Sequence, residues 1–190
     1  MKIYFVTTND GKFEEVKKML PRHELVRKDM SYPEIQANST EEVAEFGINF
    51  LIKNVRGNIM LEDSGLFISS LNGFPGIYSS YVFKSIGNEG ILKLMRGSID
   101  RRAYFKSVIA LYDGKIHFFE GKCSGHISEN IRGKEGFGYD PIFIPEGNSR
   151  TFGEMDRGEK NHYSHRGRAV SKLREFLSNI SRPGNGQLPK

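Results

Sequence analysis

Cysteine is nearly absent from this chain of 190 residues: Cys123 stands alone. No internal disulfide can form, which suits a reducing compartment, and the single thiol reads as a small packed residue rather than a nucleophile. No apolar run approaches the length of a membrane span. Lys2 leads directly into a strand-like run, without the pattern of a secretory signal. A cytoplasmic protein without membrane contact is therefore the expectation. There is also no block of consecutive Lys or Arg, although the formal charge is +5 and the pI is near 9.2. That mild excess favours anionic partners, nucleic acid and nucleoside polyphosphate alike, and the missing basic tract counts against stable nucleic-acid binding. Internal repeats and low-complexity segments are absent as well. What is present is 37% hydrophobic and 27% charged, a composition for one domain able to bury a core.

Within that composition the stretch Leu61-Glu62-Asp63-Ser64-Gly65-Leu66-Phe67 stands out. Two adjacent carboxylates follow the apolar Ile59-Met60-Leu61. A central strand over residues 58–63 would deliver both acids at its C-terminal tip, with a turn at Ser64-Gly65 and a continuation from Leu66 to Ser69. Ligands of open α/β sheets sit at that edge. Paired acids there can hold a divalent metal, and one can act as a base. The same pair would equally make a polar turn.

Residues 2–7 (KIYFVT) predict a buried strand. Thr7-Thr8-Asn9-Asp10-Gly11 breaks it, and Phe13, Val16, Met19 and Leu20 then recur at helical spacing. Thr8, Asn9 or Asp10 can cap this helix, and Glu14 and Glu15 suit its first turn. Strand, polar loop and helix N-terminus form an anion site, or simply a capped surface helix, with Lys12 placed to add positive charge. The glycine pattern of a Walker A loop is missing. Residues 26–38 give no regular signal beyond an extended Tyr32-Pro33-Glu34. Ser39-Thr40-Glu41-Glu42 opens a second helix with Val43, Phe46 and Phe50 on one face, and Lys53 near its end.

Asn72-Gly73-Phe74-Pro75-Gly76 is a loop. Residues 78–83 fit strand or helix, and residues 88–95 a short helix stopped by Gly97. Ala103 to Leu111, the Asp113-Gly114 turn and Phe118-Phe119 predict a hairpin whose return strand extends through Gly121 to Ile127, the glycines marking bulges or close backbone approaches. In Gly133 to Phe143, three glycines surround Phe137 and Tyr139 ahead of Asp140-Pro141, which suits either a flat ligand or a turn with two packed rings. Ser164 caps a last helix with Ala169, Leu173, Phe176 or Leu177, and Ile180 toward the core. His165 and Arg166 fall in its first turn, where positive charge is unfavourable, which points to a purpose other than stability. Residues 181–190 (SRPGNGQLPK) have the composition of a frayed tail after a single domain over residues 1–180.

Taken in order, five segments carry a resemblance: residues 7–15, Glu62-Asp63-Ser64-Gly65-Leu66, residues 74–79, Gly136-Phe137-Gly138-Tyr139-Asp140-Pro141, and Glu159-Lys160-Asn161 with Ser164-His165-Arg166. The chain, from near its first residue to about Leu177, resembles the non-canonical purine nucleoside triphosphate pyrophosphatases, the inosine/xanthosine triphosphatases. The resemblance implies an elongated α/β fold: a mixed twisted sheet with flanking helices, two lobes around a central cleft, and a homodimer. It implies that Thr7, Thr8, Asn9, Asp10, Gly11 and Lys12 hold the triphosphate with Ser64 nearby. Asp63 matches the general base and a metal-associated acid, Glu34 a magnesium ligand, and Glu62 a second candidate. Phe137, Gly138, Tyr139 and Asp140 match the nucleoside loop, Lys160, His165 and Arg166 contacts to the base or its neighbouring phosphate, and Lys53 a lysine after the first long helix. Two departures stand out. Glu62 replaces an Asp of many members, and Ser80-Tyr81 replaces Ala-Arg, so no arginine role is assigned there.

The chemistry agrees with these positions. Hydrolysis between the α and β phosphates needs Mg²⁺ to offset charge and a base to orient water; Glu34, Glu62 and Asp63 can supply the first and Asp63 the second, while Lys12 holds the departing pyrophosphate. The competing readings are a pyrophosphatase for other modified nucleotides, a nucleic-acid binder with Phe137 and Tyr139 as stacking residues, and a nucleotide-binding module without turnover.

Overall fold

The computed structural model describes residues 1–33 and 35–180, so Glu34 and the expected tail at 181–190 lie outside the described residues. Seven strands form one mixed sheet: β1 (Lys2–Val6), β2 (Glu24–Lys28), β3 (Asn58–Ile68), β4 (Pro75–Gly76), β5 (Arg102–Tyr112), β6 (Ile116–Ile127) and β7 (Phe143–Pro145). Their order is β2-β1-β3-β5-β6-β7, with β4 paired to β3. β2, β1 and β3 run parallel, whereas β3, β5, β6 and β7 form antiparallel ladders. Five α-helices flank the sheet: α1 (Asp10–Met19), α2 (Thr40–Leu51), α3 (Ser79–Leu94), α4 (Arg157–Tyr163) and α5 (His165–Ile180). The α/β class and mixed sheet are as expected.

β3 departs from expectation. No turn forms at Ser64-Gly65; the strand runs unbroken from Asn58 to Ile68 because β5 pairs with it residue for residue, from Ile59 opposite Tyr112 to Ile68 opposite Ala103. That ladder pairs the backbone groups facing β5 that a turn would release. Gly65 is there for a different reason: a Cβ on it would lie 2.3 Å from the carbonyl oxygen of Gly76 in β4. The parallel partner β1 stops earlier, its last pair being Phe5 with Met60. Glu62 and Asp63 thus still occupy the C-terminal edge of the parallel strands, where β3 continues past its neighbour.

Side chains alternate across a strand, and the two faces of β3 pack differently. Ile59 and Leu61 join Val108 and Ala110 under Ala44, Ile48 and Leu51 of α2. On the other face, Met60, Ile109 and Leu111 lie beneath α1 and α5, which contribute Val16, Ala169, Val170, Leu173 and Leu177. Farther along that same face, Leu66, Ile68, Ala103 and Phe105 join Val82 and Ile91 of α3 and Phe143 of β7. Between these two apolar clusters the face turns polar: Glu62 and Ser64 on β3, Ser107 on β5. Each buried Leu or Val of the clusters contributes about 1.5–3 kcal/mol, and the polar interval separates the two clusters.

Several elements lack the pattern that sequence reading uses. β2 lies where no regular signal is found, because both its ends are exposed and its three central residues are only half-buried. Residues 79–83 form the first part of α3, with Tyr78 at its N-cap; the helix breaks at Gly87 (φ 60, ψ −163). α4 was not anticipated; Asp156 caps it by accepting from the Glu159 N–H. Ser164 caps α5 as expected, accepting from the Gly167 N–H at 3.0 Å. Ile180, placed on the core face of α5 by its spacing, is instead 49% exposed at the helix end. Gly121 and Gly125 mark close approaches: a Cβ on Gly121 would lie 2.0 Å from the His165 carbonyl oxygen, and one on Gly125 2.1 Å from that of Ile144. Cys123 is packed in the core, and burial pushes its thiol up to about 11.

Candidate active site

A cleft of about 820 Å³ opens at the polar interval, a volume that suits a nucleotide-sized ligand. Its first wall is the β1–α1 connection. Asn9 caps α1, its Oδ1 accepting from the Lys12 N–H at 3.0 Å, while the Asn9 N–H donates to Thr7 Oγ1 at 3.2 Å. These bonds aim Thr7, Thr8, Asn9 and Lys12 at the cleft. Asp10 turns away to pair with Arg27 and does not line it. Gly11 touches the cleft through a neighbour: a Cβ there would lie 2.5 Å from the Phe137 ring. Lys53 is exposed just beyond α2 and is not among the lining residues.

The floor is a chain of ion pairs. Lys12 Nζ lies 2.8 Å from Glu62 Oε2; Arg166 lies 3.1 Å from Glu62 Oε1 and 2.6 Å from Glu15 Oε2; Lys160 Nζ lies 2.7 Å from both Glu15 and Asp140. Ser107 donates to Glu62 Oε1 at 2.6 Å, and Arg166 reaches Ser64 Oγ at 3.3 Å. Glu15, Glu62, Asp140, Lys160 and Arg166 are all nearly inaccessible. Such a network holds only if every charge is paired, since removing one partner leaves a buried charge uncompensated.

Its electrostatics follow from the pairing. Burial pushes the Glu62 carboxyl up, but Arg166 and Lys12 beside it, with the Ser107 hydroxyl, outweigh burial and hold it well below the usual carboxylate range. Glu15 is lowered for the same reason, burial being outweighed by Arg166 and Lys160. Asp140 goes the other way: its burial exceeds the help of Lys160 and the Phe137 N–H, and Glu15 adds repulsion. Burial also favours the neutral form of Arg166, yet Glu62 and Glu15 raise its affinity for the proton further. His165 lies ring to ring with Phe105, centroids 4.6 Å apart. Burial first, then Arg166, push its imidazole well below its ordinary value, so it is neutral at physiological pH.

The loop from Gly136 to Asp140 closes the cleft. Asp140 Oδ2 accepts from the Phe137 N–H at 2.7 Å, and the fold around it needs Gly136, where a Cβ would lie 2.0 Å from that oxygen. The Phe137 ring sits over two cations, 4.7 Å from Lys160 Nζ and 5.4 Å from the Arg166 guanidinium carbon. Asn88 donates to the Gly138 carbonyl at 3.1 Å. Tyr139 donates to the Ser79 carbonyl at 3.0 Å, and its ring meets Phe83 edge-on at 5.2 Å. Tyr139 is 4% exposed, an anchor in the core rather than a free stacking surface. Asp63 lines the cleft half-buried.

Of the residues singled out in the sequence, Thr7, Thr8, Asn9, Lys12, Glu62, Asp63, Ser64, Phe137, Gly138, Tyr139, Asp140, Lys160, His165 and Arg166 thus converge on one cavity. Its sequence position shows Glu15 only as a first-turn acid and does not reveal its place between Lys160 and Arg166. The available signal was its position beside Val16 on the apolar face of α1, where an acid needs a buried cation. Ser107, a lone hydroxyl in the apolar run of β5, carried a similar signal.

Residues 3–176 match the model of the Ham1 family. The dITP/XTP pyrophosphatase of Thermococcus kodakarensis is 54% identical over 180 residues, covering 94% of this chain and 96% of its own. That of Pyrococcus horikoshii is 57% identical over 180 residues, covering 93% and 97%. Among solved structures, the Staphylococcus aureus Ham1 protein superposes with a TM-score of 0.83 at 29% identity, covering 95% of this chain and 100% of that one. Cleft, fold and likeness agree: the chain belongs to the Ham1 family.

Proposed function

We propose that this chain is a nucleoside triphosphate pyrophosphohydrolase that cleaves the α–β phosphate bond of non-canonical purine nucleotides, ITP, dITP and XTP, giving the nucleoside monophosphate and pyrophosphate. The observation that carries the reading is the ion-pair chain, which leads from Lys12 at the α1 terminus through Glu62, Arg166, Glu15 and Lys160 to Asp140 of the Phe137–Asp140 loop. It binds an anion-holding end and a base-holding end into one rigid floor. The naming of the archaeal relatives supports the substrate class. The packed ring of Tyr139 and the acids of the floor speak against the nucleic-acid reading.

In this reading the N-terminus of α1 and Lys12 hold the β and γ phosphates, because first-turn N–H groups lack intrahelical partners and carry partial positive charge. Asp63 orients and deprotonates the attacking water. Lys160 and Arg166 offer only donors, so they match the six-position carbonyl of hypoxanthine or xanthine and clash with the amino group of adenine. Neutral His165 adds no charge beside them.

No group of three or more potential metal ligands forms among the described residues. Magnesium does not require one, since it takes one or two carboxylates together with substrate phosphates and keeps several waters. Asp63, a half-buried carboxylate on the cleft wall, fits that role. Glu62 has both oxygens engaged by Lys12, Arg166 and Ser107, so we place it in the floor rather than on the ion. Asp63 and Glu34 would hold Mg²⁺, which offsets the charge of the phosphate oxygens when bound. A homodimer and a cytoplasmic location belong to the same reading. The decisive test is incubation with ITP, XTP, ATP and GTP in the presence and absence of magnesium. Pyrophosphate released chiefly from ITP and XTP, and only with the metal, is expected; orthophosphate release or equal use of ATP overturns the reading.

A further inference from the structure

Every cation of the cleft floor already has a carboxylate: Lys12 has Glu62, Lys160 has Glu15 and Asp140, and Arg166 has Glu15 and Glu62. Three cations thus meet three acids, and the floor offers a polyanion no surplus charge. Lys84 is different. It lines the same cavity from the wall formed by α3, is exposed, and makes no ion pair or hydrogen bond with any described residue.

We infer that Lys84 grips the phosphate chain of the bound nucleotide, a contact that supplies the positive charge the floor lacks. This rests on the pyrophosphohydrolase reading above. Ser80 and Tyr81, four and three residues before Lys84, line the cleft with it from one side of α3, while Val82 on the other side is buried. The segment that carries Lys84 is fixed at its base: Ser79 Oγ accepts from the Leu66 N–H at 2.8 Å and donates to the Gly76 carbonyl at 2.6 Å. Tyr139 of the nucleoside loop also binds Ser79, and its ring meets Phe83, the neighbour of Lys84. Base recognition and the phosphate cation therefore sit on one packed unit. The break at Gly87 ends this segment three residues later, so the long lysine stem reaches out from its last turn. An ammonium on a flexible stem is a suitable point charge for a phosphate oxygen.

A cation in the last turn of a helical segment also has a purely structural use, and the test separates the two. Lys84→Ala, Lys84→Arg and Lys93→Ala are compared; Lys93 is an exposed lysine of the same helix outside the cleft. KM for ITP, inhibition by inorganic pyrophosphate and the ionic-strength dependence of kcat/KM are measured. Lys84→Ala is expected to weaken both ITP and pyrophosphate binding by about tenfold and to flatten the salt dependence. Lys84→Arg restores most of this, and Lys93→Ala behaves as wild type. Unchanged pyrophosphate inhibition in Lys84→Ala, with or without a lower melting temperature, overturns the inference. Should the wild-type protein release no pyrophosphate from ITP or XTP, the functional reading falls instead, and Lys84 is judged by calorimetric binding of pyrophosphate alone: an affinity equal in wild type and Lys84→Ala overturns it.

Discussion

Glu62 and Asp63 are consecutive in β3 yet face opposite sides of the sheet: Glu62 lies under α1 and α5, paired with Lys12 and Arg166, while Asp63 lies on the face that α2 covers. Adjacent carboxylates therefore do separate work. If Asp63 is the base of the proposed function, Asp63→Asn preserves shape but removes it; turnover should fall by about 10²–10⁴-fold, with the unfolding midpoint in urea close to wild type. Glu62→Gln should do the reverse first, costing about 3 kcal/mol or more of stability because Lys12 and Arg166 are left without their shared acid. Urea denaturation of both variants checks the contrast. Equal destabilisation by the two changes would mean that the acids share one environment.

How much of this was legible in the sequence depends on range. β1, α1, the β5–β6 hairpin and α5 follow from apolar spacing and from caps such as Asn9 and Ser164, whereas α2 follows from its Ser39 cap alone. Its buried face is Ala44, Ile48 and Leu51, not the expected Val43, Phe46 and Phe50, and Phe46 is exposed. The uninterrupted β3 was not legible, since Ser64-Gly65 looks like a turn until β5 pairs across it and β4 presses on Gly65. Glu62, Asp63, Phe137, Tyr139, His165 and Arg166 stand out because they differ in kind from their surroundings, whereas Lys160 is visible only through the family resemblance. Glu15 does not stand out, because a charge on an amphipathic helix reads as solvated until a cation 151 residues away, Arg166, is brought to it.

Gly11 lies in the first turn of α1, against the Phe137 ring. An added methyl would meet the Phe137 ring at 2.5 and 2.7 Å, so Gly11→Ala must push the ring off Lys160 and Arg166. Alanine favours a helix by about 0.5–1 kcal/mol over glycine, which offsets cation–π contacts of similar size. Stability should therefore change by no more than about 1 kcal/mol. Misplacing the ring should nevertheless lower kcat/KM for ITP by about ten- to a hundredfold. Kinetics that stay at wild-type level would show that the ring position is immaterial to catalysis.

His165 sets a pH dependence of stability. Its folded-state affinity for a proton is held well below the ordinary value of 6.5 by burial and by Arg166, so below that pH the unfolded chain binds more protons. Stability from this group is complete above pH 6.5 and is lost as pH falls toward the folded value, at up to about 1.4 kcal/mol per pH unit. Glu15 and Glu62 lose their contribution only below 4.5, the ordinary value for their carboxyls, and Asp140, raised by burial, acts with the opposite sign. Urea titrations between pH 7.5 and 5 should show the slope in wild type and a smaller one in His165→Gln. Partly buried His23, lowered by desolvation and by the N-terminus, supplies the remainder. Identical slopes in the two proteins would assign the whole effect elsewhere.

In the proposed function Arg166 would join base recognition to stability. Its two terminal nitrogens serve Glu15, Glu62 and Ser64, and its buried Nε has no hydrogen-bond acceptor among the described residues. Removing the side chain outright would leave Glu15 and Glu62 unbalanced, so Arg166→Ala mixes folding with function. Arg166→Lys keeps the charge but replaces a planar fork by a point donor that cannot serve both acids and a base carbonyl together. Lysine is therefore the sharper probe. A site built on a specific hydrogen bond can reject the wrong analogue by about 10⁴-fold, because its polar groups go unpaired; loosening that geometry should narrow the ITP-to-ATP ratio of kcat/KM by tenfold or more, on the order of 1.4 kcal/mol. Guanine carries the same six-position carbonyl, so the ITP-to-GTP ratio should hardly move. Steady-state kinetics on the three nucleotides decide the point, with a urea midpoint as the control for folding. If the ITP-to-ATP ratio is unchanged while KM rises equally for all three, Arg166 acts on the phosphates and not on the base.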